Sequence, residues 1–200
     1  MNRREALAAA SVLFGGAIVG SQSFLAGCVT PTPASAEIPF LGLLSAEDMA
    51  LLDEVGETIL PTTTDSPGAK AAKVGEFMNV IVTDCYSPRD QELFQAGLHR
   101  LNATTLEEHE QYYVDLTAEE KHAFLLTLED EARAFRKAQP PRDPAADEDP
   151  EVHYYSMIKQ LTVWGYFSSE IGATQALRYV AVPGRWDPCI PYAEGEKAWA

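Results

Sequence analysis

The sequence is poor in cysteine and in basic residues. Its 200 residues include three cysteines, and 15 lysines and arginines stand against 30 aspartates and glutamates, which gives a formal net charge of −15. An acidic surface of this kind repels phosphate groups. The composition argues against nucleic acid as a partner and against direct binding to anionic lipid, so any attachment to a membrane needs a lipid anchor.

The sequence also lacks the common cofactor motifs. No G-x-G-x-x-G follows a predicted strand, and no C-x-x-C-H is present for covalent attachment of haem. Three cysteines are too few for the usual four ligands of an iron–sulfur cluster. Glu119 and His122 match half of a di-iron carboxylate motif, but a second Glu-x-x-His pair is missing. We therefore predict no catalytic residue, no cofactor-binding residue and no metal ligand in this chain.

The N-terminal segment has the features of an export signal. Arg3 and Arg4 precede a mildly apolar run over residues 6–20 that is rich in alanine and glycine. Twin arginines ahead of such a run are typical of the Tat route, which transports folded proteins. The tetrapeptide Leu-Ala-Gly-Cys that ends at Cys28 resembles a bacterial lipobox. Residues 1–27 are therefore predicted to be a Tat-type signal with a lipobox.

Cys28 is the predicted site of lipidation. In a lipobox the cysteine carries the lipid and becomes the first residue of the mature protein, and a multiply acylated cysteine holds a protein firmly at a membrane. An ordinary signal peptidase site near Ala36 is the alternative. Residues 28–42 are rich in proline, serine and threonine and are predicted to form a flexible tether. The expected location is the periplasm, with a lipid anchor in a membrane.

Residues 43–192 have the pattern of a helical domain. Apolar residues recur at helical spacing in successive segments, and no segment shows sustained two-residue alternation. Three of these segments follow a predicted serine or threonine cap, at Ser45, Ser87 and Thr117. The apolar stripes run from Met49 to Leu60, from Val74 to Cys85, from Leu93 to Leu101 and from Phe124 to Phe135, and a more apolar stretch from His153 to Arg178 follows them. The prediction is an all-α fold, a single compact domain of about five to six helices with an extended Pro-rich C-terminal tail.

Two features divide this domain. Residues 139–150 contain four prolines and four acidic residues, so they are predicted to be an acidic linker inside the domain. Gly165 and Gly172 interrupt the apolar stretch and, being seven residues apart, fall on nearly the same side of a helix. We expect this helix to pack in the domain core. Residues 193–200 are predicted to be a C-terminal tail.

Cys85 and Cys189 are the two cysteines that lie outside the signal. In the oxidising periplasm an even pair of cysteines is a disulfide candidate. The alternatives are two separate buried thiols, or a cysteine that faces a partner chain. The spacing leaves all three arrangements open.

The C-terminal third of the chain is enriched in aromatic residues. Eight of the nineteen aromatic residues lie within residues 153–192. Aromatic and arginine side chains anchor protein interfaces. A core helix with a tail wrapped over the domain is the alternative explanation, and the density of aromatics does not decide between them.

The run from Leu161 to Tyr179 resembles the hallmark of a known family. Its letters are L-T-V-W-G-Y-F-S-S-E-I-G-A-T-Q-A-L-R-Y, and V-P-G-R-W-D-P-C continues from Val182. Two earlier segments fit in the same order, E-T-I-L-P from Glu57 and P-G-A from Pro67. The likeness covers roughly residues 43–192 and is to the gluconate 2-dehydrogenase subunit 3 family. Family members with a twin-arginine leader resemble the N-terminus as well.

This resemblance implies a role in a complex rather than a reaction of its own. Proteins of the family look like the small subunit of membrane-associated sugar or sugar-acid dehydrogenases. Their large subunit is an FAD-bearing flavoprotein of the glucose–methanol–choline (GMC) type, and a multihaem cytochrome c often accepts the electrons. FAD and haem c would then lie on other chains. This chain would carry the folded flavoprotein through the Tat pore, stay bound to it, and tether it through the lipid on Cys28.

The composition of the tail suggests where such a flavoprotein would be bound. The tail is too rich in proline to fold alone, so we expect it to lie along the flavoprotein. The residues predicted for this interface are Tyr179, Arg185, Trp186 and Tyr192. The second interpretation is a free-standing periplasmic lipoprotein that binds a small sugar or a protein without any redox partner.

Overall fold

Capping residues define where two of the helices begin. The hydroxyl of Ser45 accepts a hydrogen bond from the backbone N–H of Asp48, and the Asp48 carboxylate accepts one from the backbone N–H of Ser45. Thr117 and Glu120 form the same reciprocal capping box at a later helix. These bonds satisfy backbone N–H groups that have no partner within a helix. Both helices therefore begin where the sequence predicts.

The part of the chain that the structure describes is helical. The computed structural model describes residues 42–140, 150–182, 184–185, 189–191 and 193–200, and these belong to one compact unit. The helices are α1 (Ala46–Ile59), α2 (Val74–Cys85), α3 (Pro88–His109), α4 (Ala118–Ala138) and α5 (Tyr154–Ser168), with a 3₁₀ turn at Tyr113–Asp115 and a π-helical turn at Gly172–Ala176. Within the described ranges there is no strand, and the predicted all-α class is confirmed.

Several predictions fall on residues outside this described part. They concern Arg3, Arg4, Cys28, Trp186, Tyr192 and residues 141–149 of the linker. The export signal, the lipidation and half of the predicted interface therefore stay predictions.

α5 lies at the centre of the helices. It contacts α1, α2, α3 and α4, and eight of its fifteen residues are buried. Lys159 is the one charged residue in its sequence, and its Nζ pairs with a carboxylate oxygen of Glu129 on α4 at 2.6 Å. Burial raises the pKa of Tyr154 and the pKa of Tyr155 to about 12, so both phenols stay neutral at neutral pH. The side of α5 that carries Tyr154 and Tyr155 packs in the core, as expected for this helix.

The expectation that Gly165 and Gly172 share one side of a single helix is wrong, because α5 ends at Ser168 and Gly172 begins the π-helical turn.

Each helix contributes its apolar stripe to one core. Burying a large apolar side chain contributes roughly 1.5–3 kcal/mol relative to leaving it in water. The core side chains with no exposed surface include Leu52, Val55, Met78, Phe94, Leu101 and Ile158. This burial, rather than any single polar contact, holds the five helices together.

A carboxylate on α1 holds the loop that follows the helix. Glu57 accepts hydrogen bonds from the backbone N–H of Thr62 at 2.8 Å, from the Thr62 hydroxyl at 2.7 Å and from the backbone N–H of Lys70 at 3.0 Å. A Cβ at Gly68 would overlap this carboxylate, so a larger residue there would displace the Glu57 side chain from the loop. The loop between α1 and α2 is therefore tied to the end of α1.

Two tyrosines connect this region to the rest of the core. The hydroxyl of Tyr166 on α5 donates a hydrogen bond to the carbonyl of Pro67, at 2.5 Å. Tyr113 in the 3₁₀ turn is completely buried, and its hydroxyl donates to the hydroxyl of Thr58 at 2.9 Å. The hydroxyls of Tyr166 and Tyr113 thus have hydrogen-bond partners, which removes most of the cost of burying them.

Cys85 and Cys189 are free, exposed thiols in the structure. Cys85 is the last residue of α2, and Cys189 lies in an exposed part of the C-terminal segment. The alternative of two separate buried thiols is therefore wrong, and the structure contains no bond between the two sulfur atoms.

Replacing Glu57 with glutamine should destabilise the protein. The glutamine amide has a single acceptor oxygen, so a loop N–H group would lose its acceptor. Hydrogen bonds to a charged group contribute about 1.5–3 kcal/mol, so we expect Glu57→Gln to lower the free energy of unfolding by about 2 kcal/mol in urea denaturation. The control is Glu92→Gln, which changes an exposed carboxylate of α3 and should cost less than about 0.5 kcal/mol. Equal losses in the two variants would contradict the role of Glu57.

His153 caps α5 and has an environment that favours its neutral form. Its Nδ1 accepts a hydrogen bond from the backbone N–H of Tyr155 at 3.3 Å, and its ring centroid lies 4.6 Å from that of Tyr154. Burial lowers the pKa of His153 below its ordinary value of 6.5, with Glu131 opposing this shift and Arg100 adding to it. Protonation of Nδ1 would remove the acceptor that caps the helix.

The protein should lose stability as His153 becomes protonated. Because the folded pKa lies below the unfolded value, the neutral cap contributes stability above the unfolded pKa, and this is lost as pH falls through the folded pKa. We expect the free energy of unfolding of the wild type to fall from about pH 7.5 to about pH 5.5 more steeply than that of His153→Asn, since asparagine caps without titrating. The control is His99→Asn, which removes a histidine that is exposed inside α3 and caps no helix. Coinciding slopes for the wild type and His153→Asn would contradict this account.

Candidate functional site

One side of α5 is exposed although the helix is central. Trp164 is 52% exposed, and Val163 and Phe167 are 40% and 38% exposed. These positions lie together on one face, because residues three and four apart are neighbours on a helix. On α2, Phe77 is half-buried against Trp164, and Val80 is exposed one turn further on. We call Phe77, Val80, Val163, Trp164 and Phe167 the aromatic platform.

Gly165 makes room for the aromatic pair at the centre of the platform. A Cβ at Gly165 would lie 2.6 Å from Cδ1 of Phe77, closer than real contacts allow. The ring of Phe77 instead lies against the bare backbone of α5 and meets Trp164 edge to face, with ring centroids 5.3 Å apart and 83° between the ring planes. Such pairs contribute about 0.5–1.5 kcal/mol beyond their buried area. The pair fixes the orientation of a half-exposed indole.

The residues after the platform turn the chain tightly. The hydroxyl of Ser169 donates to the carbonyl of Tyr166 at 2.7 Å and accepts from the backbone N–H of Gly172 at 3.0 Å. A Cβ at Gly172 would overlap the Tyr166 carbonyl, so the turn requires glycine. Four residues in the run that resembles the family hallmark therefore have structural roles. Gly165 makes room for the ring of Phe77, and Tyr166 binds the α1–α2 loop. Ser169 and Gly172 form the turn after α5.

The C-terminal end of the chain returns to the end of the π-helical turn. The backbone N–H of Arg178 donates to the carbonyl of Ala198 at 2.7 Å, and the backbone N–H of Ala200 donates to the carbonyl of Arg178 at 3.0 Å. The guanidinium of Arg178 lies 4.5 Å from the centroid of the Trp199 ring and 3.5 Å from Oε1 of Glu196. We call these contacts the C-terminal clasp. The clasp brings residues 178 and 199 together, and we call the residues between them the clasped segment.

Lys197 extends this attachment. Its ammonium donates to the carbonyl of Asp65 at 3.2 Å and to the carbonyl of Gln175. The predicted tail, residues 193–200, is therefore held against the α1–α2 loop and the π-helical turn. No periodicity in the sequence indicates this return, because single backbone bridges and cation–π contacts leave no repeating pattern.

The described residues within the clasped segment are exposed. Tyr179 is 56% exposed and Val182 is 80% exposed. The exposed large apolar side chains of this segment are Tyr179, Val180, Val182 and Ile190. Of the predicted interface residues, the structure places Tyr179 and Arg185 at the surface, while Trp186 and Tyr192 lie outside the described residues.

None of the five residues of the aromatic platform is among the interface residues that the sequence predicts. Each continues an apolar pattern that also fits a core position. A helix that is apolar nearly all round does not reveal which of its sides is left uncovered. The available signal was the stripe of uncharged residues at Val163, Trp164 and Phe167 in a strongly acidic chain.

The charged cluster around Glu54 connects α1 to its neighbours. Glu54 accepts hydrogen bonds from Lys121 on α4, at 2.9 Å, and from Lys70. Burial raises the pKa of Glu54, but the two lysines outweigh burial and the pKa is lowered overall. The cluster borders a cavity of about 380 Å³ that Glu57 and His122 also line.

The structure places the half di-iron motif at the start of α4, with Glu119 in its first turn and His122 exposed. Among the described residues, no group of three or more His, Cys, Asp or Glu side chains is placed to hold a metal ion.

None of the helices in the described ranges has both the length and the apolar character needed to cross a membrane.

The comparisons with known proteins identify the family. The family model for gluconate 2-dehydrogenase subunit 3 matches residues 46–184, from the first residue of α1 into the clasped segment. Searches of curated proteins and of solved structures gave no match. The matched range contains the Glu57 loop, the platform and the tight turn after it. The chain belongs to the gluconate 2-dehydrogenase subunit 3 family.

Proposed function

We propose that this chain is a non-catalytic accessory subunit of a periplasmic, FAD-dependent dehydrogenase of the GMC type that oxidises a sugar or a sugar acid. The observation that carries the proposal is the family match over residues 46–184, since the family is that of a third subunit of a dehydrogenase. FAD would lie on the large subunit, and haem c on a cytochrome subunit where the complex has one. The role of this chain would be to export, assemble and anchor the flavoprotein.

The exposed aromatic side chains support a binding role. Trp164 and Tyr179 each leave more than half of their surface in water. Large exposed apolar patches mark interaction sites, and tryptophan and tyrosine are among the residues most enriched at the centres of interfaces. An accessory subunit needs such a surface to hold its partner.

Export is the first function that we propose for this subunit. A flavoprotein that folds around FAD in the cytoplasm cannot pass through a channel for unfolded chains. It therefore needs a partner with a Tat signal, which Arg3 and Arg4 would supply. The lipid on Cys28 would then hold the complex at a membrane, as the net charge of −15 disfavours direct contact with anionic lipid.

The twin arginines should be required for the export of both proteins. We expect the double variant Arg3→Lys and Arg4→Lys to leave this chain and the flavoprotein in the cytoplasm, because lysine keeps the charge but not the recognised side chain. The measurement is dehydrogenase activity with an artificial electron acceptor in periplasmic and cytoplasmic fractions. Arg136→Lys, at an exposed position of α4, is the control and should export normally. Normal periplasmic activity in the double variant would contradict the export role.

The clasped segment should contribute to binding of the flavoprotein. We expect Tyr179→Ala to weaken the affinity for the purified flavoprotein about tenfold, a loss typical of an interface aromatic. Tyr112→Ala is a matched control, because Tyr112 is 53% exposed and belongs to the connection between α3 and the 3₁₀ turn, not to this segment. If both variants bind as the wild type does, the segment is not part of the interface.

A further inference from the structure

We infer that the aromatic platform on α2 and α5 is the docking site for the dehydrogenase subunit, and that the partner covers it with an apolar surface bordered by basic residues. The inference rests on the proposed function, because it names the surface that an accessory subunit would use. The platform lies outside the tail that the sequence predicts as the interface, and it uses residues of the folded core.

The platform is uncharged, whereas its border is acidic. Lys159, the one charged residue of α5, is held by Glu129 on α4. On α2, Glu76 and Asp84 lie one turn before and one turn after Val80, and both are exposed. Glu76 pairs with Lys73 at 3.1 Å, but both side chains remain more than 60% exposed.

The chain beyond α5 adds a further acid to this border, since Glu170 is exposed three residues after Phe167. An apolar centre with a polar, charged rim is the usual anatomy of a protein interface. Lysine or arginine at the edge of the partner surface would complement this acidic rim. Ion pairs at the rim of an interface chiefly raise the association rate.

The central tryptophan is already held in one orientation. Phe77 lies against Gly165 and meets Trp164 edge to face, so the indole is already packed against another ring in the free chain. Ordering a side chain at an interface costs free energy, and a side chain that is fixed beforehand avoids part of that cost. A half-exposed and fixed tryptophan at the centre of an apolar patch has the properties of a binding hot spot.

The area of the platform favours a larger partner over a second copy of this chain. The exposed surface of its side chains is roughly 300 Å², within the range of the largest apolar patches on single proteins. Two copies meeting through the platform alone would bury about 600 Å² in total, below the roughly 1,200 Å² of stable interfaces. A large subunit that also covers the surrounding acidic surface reaches that area, with the platform as its centre.

Alanine substitution of the platform tests the inference. The full chain is co-expressed with its dehydrogenase subunit, and the affinity of the purified pair is measured. We expect Trp164→Ala to weaken binding at least tenfold and Phe167→Ala to weaken it several-fold. Leu126→Ala is the matched control, because Leu126 is 54% exposed on α4 and is not part of the platform, and its affinity should stay within twofold of the wild type.

A second variant tests the positioning of Trp164 separately from the contacts that Trp164 makes with the partner. Gly165→Ala removes no aromatic group, but its Cβ would displace the ring of Phe77 and with it the support of Trp164. We expect it to weaken binding several-fold while circular dichroism still shows a folded helical protein. Raising the salt concentration should slow association of the wild type and of Trp164→Ala by the same factor, because the acidic rim is unchanged.

The outcomes distinguish the docking site from the proposed function. Wild-type affinity in a folded Trp164→Ala variant overturns the docking site alone. A purified wild-type chain that forms a dimer, with Trp164→Ala monomeric, also overturns it, because a second copy then covers the platform. A wild-type chain that binds no flavoprotein overturns the proposed function itself.

Discussion

The fold depends on the burial of α5. This helix carries one charge in fifteen residues, so it is stable in water only when other helices cover most of it. α1, α2, α3 and α4 all contact it, and its single lysine is held by Glu129. The loops follow from the same constraint, since Tyr166 on α5 holds the α1–α2 loop through Pro67. The other helices leave uncovered the face of α5 that carries Val163, Trp164 and Phe167. Together with Phe77 and Val80 of α2, this face forms the aromatic platform.

The run from Leu161 to Tyr179 contributes both to the fold and to the surface on which the proposed function depends. The residues that carry the family resemblance have folding roles that the contacts explain: Gly165 makes room for Phe77, and Ser169 and Gly172 form the turn after α5. The same arrangement presents Trp164 in a fixed orientation at the surface. An accessory subunit needs a rigid, recognisable surface for its partner, and this run can supply one.

The sequence predicts most of the fold but only part of the binding surface. Helix starts such as Ser45 and Thr117 are predictable because capping is a local interaction with a fixed spacing. The exposure of Trp164 is not predictable from the sequence, because it depends on which side of α5 the neighbouring helices leave uncovered. The return of the C-terminal end onto Arg178 is also unpredictable from local patterns, since it joins residues about twenty positions apart by isolated contacts. Tyr179 and Arg185 were predictable as surface residues because the proline-rich tail cannot pack by itself.

The most direct test of the central claim is hydroxyl-radical footprinting of this chain, free and in complex with the dehydrogenase subunit. The method reports the solvent exposure of individual side chains, and Trp164, Tyr179 and Tyr112 are 52%, 56% and 53% exposed in the free chain. The account predicts that the complex protects Trp164 several-fold and also protects Tyr179, while Tyr112 is modified at an unchanged rate. Equal modification of Trp164 in the free chain and in the complex would contradict it.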